Sequence, residues 1–72
     1  MTPTQFQNAI DKLDLSQLGT ARLIATNPRT VRRWVSGIAR VPESVAIILR
    51  LLTAGKITVQ DVIDTNPKHL SE

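Results

Sequence analysis

This chain of 72 residues has no cysteine and no tyrosine, and it has one tryptophan, one phenylalanine and one histidine. Without cysteine there is no disulfide framework, no thiolate metal site and no cysteine nucleophile. The single histidine, His69, stands near the chain end, which argues against a histidine metal centre or a Ser-His-Asp triad. Gly19, Gly37 and Gly55 are isolated from one another, so no glycine-rich loop is available to cradle a phosphate. The acid pairs Asp11/Asp14 and Asp61/Asp64 read as helix-surface or capping residues rather than as a catalytic carboxylate pair. The longest unbroken apolar run, Val45-Ala46-Ile47-Ile48-Leu49, closes at Arg50 and is far too short to span a bilayer. No signal-peptide pattern opens the chain. The expectation is one small domain in the cytoplasm, with no enzyme activity, no cofactor and no metal.

Acidic residues are also missing from one long stretch. Nine Lys or Arg against six Asp or Glu give a net charge of +3, but residues 15–42 hold no acid at all. That stretch contains Arg22, Arg29, Arg32, Arg33 and Arg40, and the remainder of the chain is net acidic. A solvated helix face is the ordinary explanation of a charge run, but such faces usually alternate in sign. All five cations are arginines, which suit bidentate contacts to phosphate and guanine. A polyanion partner is the better reading.

Apolar residues make up 42% of the chain, and their spacing is helical throughout. Thr2-Pro3-Thr4-Gln5 has the form of a capping box with proline at the first helical position, followed by Phe6, Ile10 and Leu13; this predicts a helix over 3–13. Ser16 caps a second helix over 17–25, with Ala21, Ile24 and Ala25 on a narrow face. Asn27-Pro28 starts a third helix that runs to Ser36 and stops at Gly37. Val41-Pro42-Glu43 opens a fourth, whose buried stripe is Val45, Ile48, Leu49 and Leu52, with Gly55 as its stop. Thr58 and Asp61 form the cap of a fifth, with Val59, Val62 and Ile63 inward and Asn66-Pro67 as the end. Residues 67–72 show no periodicity and are expected to be a loose tail. The expected fold class is all-α: one compact five-helix domain over residues 1–66.

At about 100° per residue, Trp34, Val35 and Ile38 fall within about 60° of Val31 and make an inward stripe on the third helix. Arg29, Arg33 and Ser36 cluster opposite, with Arg32 on one flank and Thr30 on the other. Trp34 could stack on an unpaired base; its place beside Val31 favours a core anchor. With only Phe6 besides, there is no aromatic platform for RNA or single strands, and duplex DNA is the better target. A helix fits the major groove, where base edges can be read.

The run LSQLGTARLIATNPRTVRRWVSG, from Leu15 to Gly37, resembles the helix-turn-helix of lambda-repressor-like domains, the family of phage repressors, Cro proteins and xenobiotic-response-element-type bacterial regulators. The likeness runs without a gap through Leu15-Ser16-Gln17, Ala21, Ile24, Asn27, Thr30-Val31, Trp34 and Gly37. The five-helix plan extends it over about residues 3–66. The resemblance implies that the second and third helices form the helix-turn-helix and that the segment 28–36 is the recognition helix. It further implies that Arg29 and Arg33 read bases, with guanine favoured, and that Arg32 reaches a base or a phosphate. Pro28, which replaces a polar residue common in the family, can offer only an apolar base contact, such as to a thymine methyl. Ser16, Gln17, Asn27, Thr30, Ser36 and Arg40 correspond to positions that hold the DNA backbone. Val35 stands where the family often has glutamate, and Ile10 where its arginine partner lies, so an apolar contact replaces an ion pair. Thr20 occupies a place usually given to a large apolar residue. Leu18 and Leu23 are apolar where the family is often polar; Leu23 reads as a surface leucine or as part of a protein contact.

The implied function is that of a sequence-specific, double-stranded DNA-binding transcriptional regulator of Cro or repressor type, acting at the nucleoid. A chain this short has no room for a separate ligand-sensing domain. One short helix contacts few base pairs, so a homodimer on a palindromic operator is expected, with half-sites about 10 bp apart. Ile47, Leu51, Ile57 and Leu70 are candidates for the pairing surface, unless they belong to the core. The alternative is an antitoxin or protein-interaction module that uses Leu18, Leu23 and the apolar C-terminal half against a protein partner.

Overall fold

The computed structural model describes residues 1–65. Over that span the chain forms five α-helices and no strand: α1 (Pro3–Lys12), α2 (Gln17–Leu23), α3 (Pro28–Ser36), α4 (Glu43–Thr53) and α5 (Val59–Thr65). None of these helices is long and apolar enough to cross a membrane. The expected stop at Asn66-Pro67, the tail 67–72 and Leu70 lie outside the described residues.

Local capping fixes most of the boundaries. Gln5 N–H donates to Thr2 Oγ1 (3.1 Å) while Thr2 N–H donates to Gln5 Oε1 (2.9 Å), a complete capping box on α1. Gly19 N–H donates to Ser16 Oγ at the head of α2 (2.8 Å), and Arg29 N–H donates to Asn27 Oδ1 at the head of α3 (2.8 Å). Thr58 and Asp61 exchange the same pair of bonds before α5, at 2.8 and 3.1 Å. Only α4 starts without a side-chain cap, because Pro42 occupies that position. α1 and α2 end before the predicted Leu13 and Ala25. The chain turns left-handed just beyond each helix, at Asp14 (φ 58°) and Ala25 (φ 57°), which no right-handed helix can continue.

The core forms where α1 packs on α3 and α4, and where α2 packs on α3 and α5. Phe6 and Ile10 of α1, Val31 and Trp34 of α3, and Ala46, Leu49 and Leu52 of α4 are buried, with Val41 closing the loop between α3 and α4. The rings of Phe6 and Trp34 meet edge to face, with centroids 5.7 Å apart and planes at 81°, the arrangement that aromatic quadrupoles favour. Thr20 is fully buried, and its hydroxyl donates to Ser16 O (2.8 Å), so the polar group carries no unmet hydrogen bond. Ile10 is fully buried, and Val35 packs partly buried against the same core.

Three expectations need correction. Leu23 is not a surface residue: it is only 5% exposed, because α2 is gripped by α5 as well as by α3. Ile38 is not part of the inward stripe of α3. It lies beyond Gly37, whose left-handed backbone (φ 83°) ends the helix, and it is 79% exposed. In α4 the buried line runs through Ala46, Leu49 and Leu52, while Val45 and Ile48 flank it half-buried.

Candidate nucleic-acid interface

The candidate surface is the outward face of α3 with the loop that leaves it. Val31 and Trp34 are locked inside, which fixes the rotation of the helix about its axis. Pro28, Arg29, Arg32, Arg33 and Ser36 are consequently exposed, and Thr30 is half-buried at the flank. Proline at the first turn suits a helix start, since its missing N–H would have no partner there. At the other end, Gly37 turns the chain out of α3. Ala39 N–H donates to Arg33 O (3.2 Å), folding the loop back onto the last helical turn.

The electrostatics of this face are one-sided. Among the described residues the sole ion pair joins Arg50 to Glu43 on α4, at 3.1 Å. None of Arg22, Arg29, Arg32, Arg33 and Arg40 has a carboxylate partner there, so each guanidinium keeps its donors for a ligand. The neighbouring polar groups differ in how committed they are. Ser16 and Asn27 spend a side-chain oxygen on their own helix caps. Ser36 Oγ donates to Arg33 O (3.2 Å) and retains its acceptor capacity. Gln17 is half-buried at the first turn of α2, a helix that packs directly on α3.

Arg40 stands in the loop that leaves α3 and is exposed. It lines a depression of about 620 Å³ with Met1, Thr2, Val41, Pro42 and Glu43, beside the uncapped start of α4. Two surface features escaped sequence reasoning. Ile38 projects at the exit of α3, which a helical projection conceals because that projection ignores the glycine. A groove of about 250 Å³ lies between α2 and α5, walled by Leu15, Gly19, Leu23, Val59 and Ile63 with Arg22 at its rim. No residue pattern in α2 alone signals it, since α5 supplies one wall. No protein-family model matches this chain, and no curated protein and no solved structure gives a significant match to it.

Proposed function

We propose that this domain is a sequence-specific, double-stranded DNA-binding transcriptional regulator of the lambda-repressor-like type, with α2 and α3 as its helix-turn-helix. One observation carries the reading: α3 is anchored by Val31 and Trp34 and turns Arg29, Arg32 and Arg33 outward, exposed and without carboxylate partners. Inserted into the major groove, such a helix brings guanidinium forks to base edges, where guanine O6 and N7 are the matching acceptors. Arg29 and Arg33 supply base selectivity, Arg32 a base or phosphate contact, and Pro28 an apolar one. Ser16, Gln17, Asn27, Thr30, Ser36 and Arg40 set the register on the backbone. Regulation is then by occupancy of an operator, at the nucleoid. Pairing of two copies on a palindrome would extend the short reading frame of a single helix, with the half-exposed Ile47 and Leu51 of α4 as candidate contacts.

Selection of bound sequences from a random duplex pool tests this directly, with a palindromic, guanine-containing motif expected. Alanine at Arg29 or Arg33 is expected to cost about 1–3 kcal/mol and to relax base preference, whereas Arg40→Ala weakens all sequences alike. Unchanged DNA affinity after simultaneous replacement of Arg29, Arg32 and Arg33 by alanine would overturn the proposal. The second reading, a protein-interaction module such as an antitoxin, draws on the apolar groove between α2 and α5 and on the exposed Leu18. That reading predicts protein binding that survives the triple arginine change.

A further inference from the structure

Ile38 is the most exposed large apolar side chain among the described residues, at 79% against 48% for Ile47, the next in line. It takes no part in the core or in the half-buried shell around it. Its neighbours do: Ala39 packs against the core and Val41 is buried within it. With Gly37 in its left-handed turn and Ala39 N–H bonded to Arg33 O (3.2 Å), residue 38 is held at the apex of a pinned turn, just past the C-terminal end of the arginine face. A rigid apolar tip loses little conformational freedom on binding, which makes it an efficient contact. It stands inside the acid-free stretch 15–42, where every charged side chain is an arginine.

We propose that Ile38 is a positioning residue for the duplex, seating the exit of α3 against the C–H surface of nucleotides. This inference rests on the DNA reading of α3 given above. A duplex offers such apolar surface in two places, the thymine 5-methyl group in the major groove and the deoxyribose along its wall. Covering a side chain of this size in part is expected to tighten binding roughly tenfold. Because no charge is involved, the contribution is independent of salt, unlike that of Arg40.

The test compares wild type, Ile38→Ser and the triple arginine-to-alanine variant on the duplex recovered by selection from a random pool. A second copy of that duplex carries deoxyuridine in place of thymidine. Ile38→Ser is expected to unfold at the wild-type temperature and to bind roughly tenfold more weakly, with the salt dependence of binding unchanged. If uracil weakens wild type but not Ile38→Ser, the contact is to the thymine methyl; if uracil leaves wild type unchanged, or weakens both proteins alike through a methyl that faces Pro28, the Ile38 contact is to the sugar. Wild-type affinity in Ile38→Ser, or a lowered unfolding temperature, overturns the role. If the triple variant loses binding while Ile38→Ser does not, only the Ile38 inference falls. If the triple variant also binds unchanged, or no duplex is recovered, the DNA reading falls with it.

Discussion

Helices α3 and α5 are both short, at nine and seven residues, and both hold a polar face to solvent, yet they are secured in different ways. α3 buries Val31 and Trp34 and is clasped by α1 and α2 together. α5 has no fully buried residue; Val59, Val62 and Ile63 rest half-covered, mainly against α2. Its exposed side is satisfied from within, by the Thr58/Asp61 cap and by the bond from Gln60 Nε2 to Asp64 Oδ1 (2.8 Å). The exposed side of α3 has no such internal pairing for its arginines. Like charges one turn apart on a helix, such as Arg29 and Arg33, cost about 0.2–0.5 kcal/mol per pair, and the burial of Val31 and Trp34 on the opposite face outweighs that cost.

Trp34→Ala is therefore the severest single change. Losing the indole and its edge contact with Phe6 should cost about 3–5 kcal/mol, comparable to the whole stability of a small domain. Thermal unfolding followed by circular dichroism should show no cooperative transition; a sharp wild-type-like melt would mean that α3 is anchored some other way. Ile63→Ala removes a half-covered side chain from α5 and should cost about 1–2 kcal/mol, leaving a cooperative melt at lower temperature. A loss as large as that of Trp34→Ala would erase the contrast between the two helices. The smallest effect concerns the link from α2 to α3. Ala25 sits there at φ 57°, so Ala25→Gly should relieve left-handed strain and raise stability by about 0.5 kcal/mol after the added chain entropy is counted. A melting temperature at or below that of wild type would show that the turn is not strained.

Much of this was legible in the sequence where the cause is local. Asn27-Pro28 and Gly37 delimit α3 because capping and the left-handed turn involve only adjacent residues. The same applies to Thr2/Gln5 and Thr58/Asp61. The arginine face was legible for a related reason: once Val31 and Trp34 point inward, helical geometry sets where Arg29 and Arg33 go. Leu23 was misread because a single-stripe projection assumes one neighbour, whereas α2 has two. Ile38 was misread because the projection was carried past the residue that ends the helix. The groove beneath Arg22 was invisible because its walls come from segments far apart in the chain.

Gly37 has one more neighbour of consequence. A Cβ built on it would stand 3.3 Å from Pro3 Cγ, so the start of α1 abuts the end of α3. Met1 and Arg40 share a depression of about 220 Å³ there with Trp34. A fluorophore or purification tag joined to the N-terminus would thus emerge beside the proposed binding face. There it would report on occupancy, and a bulky fusion partner would obstruct it.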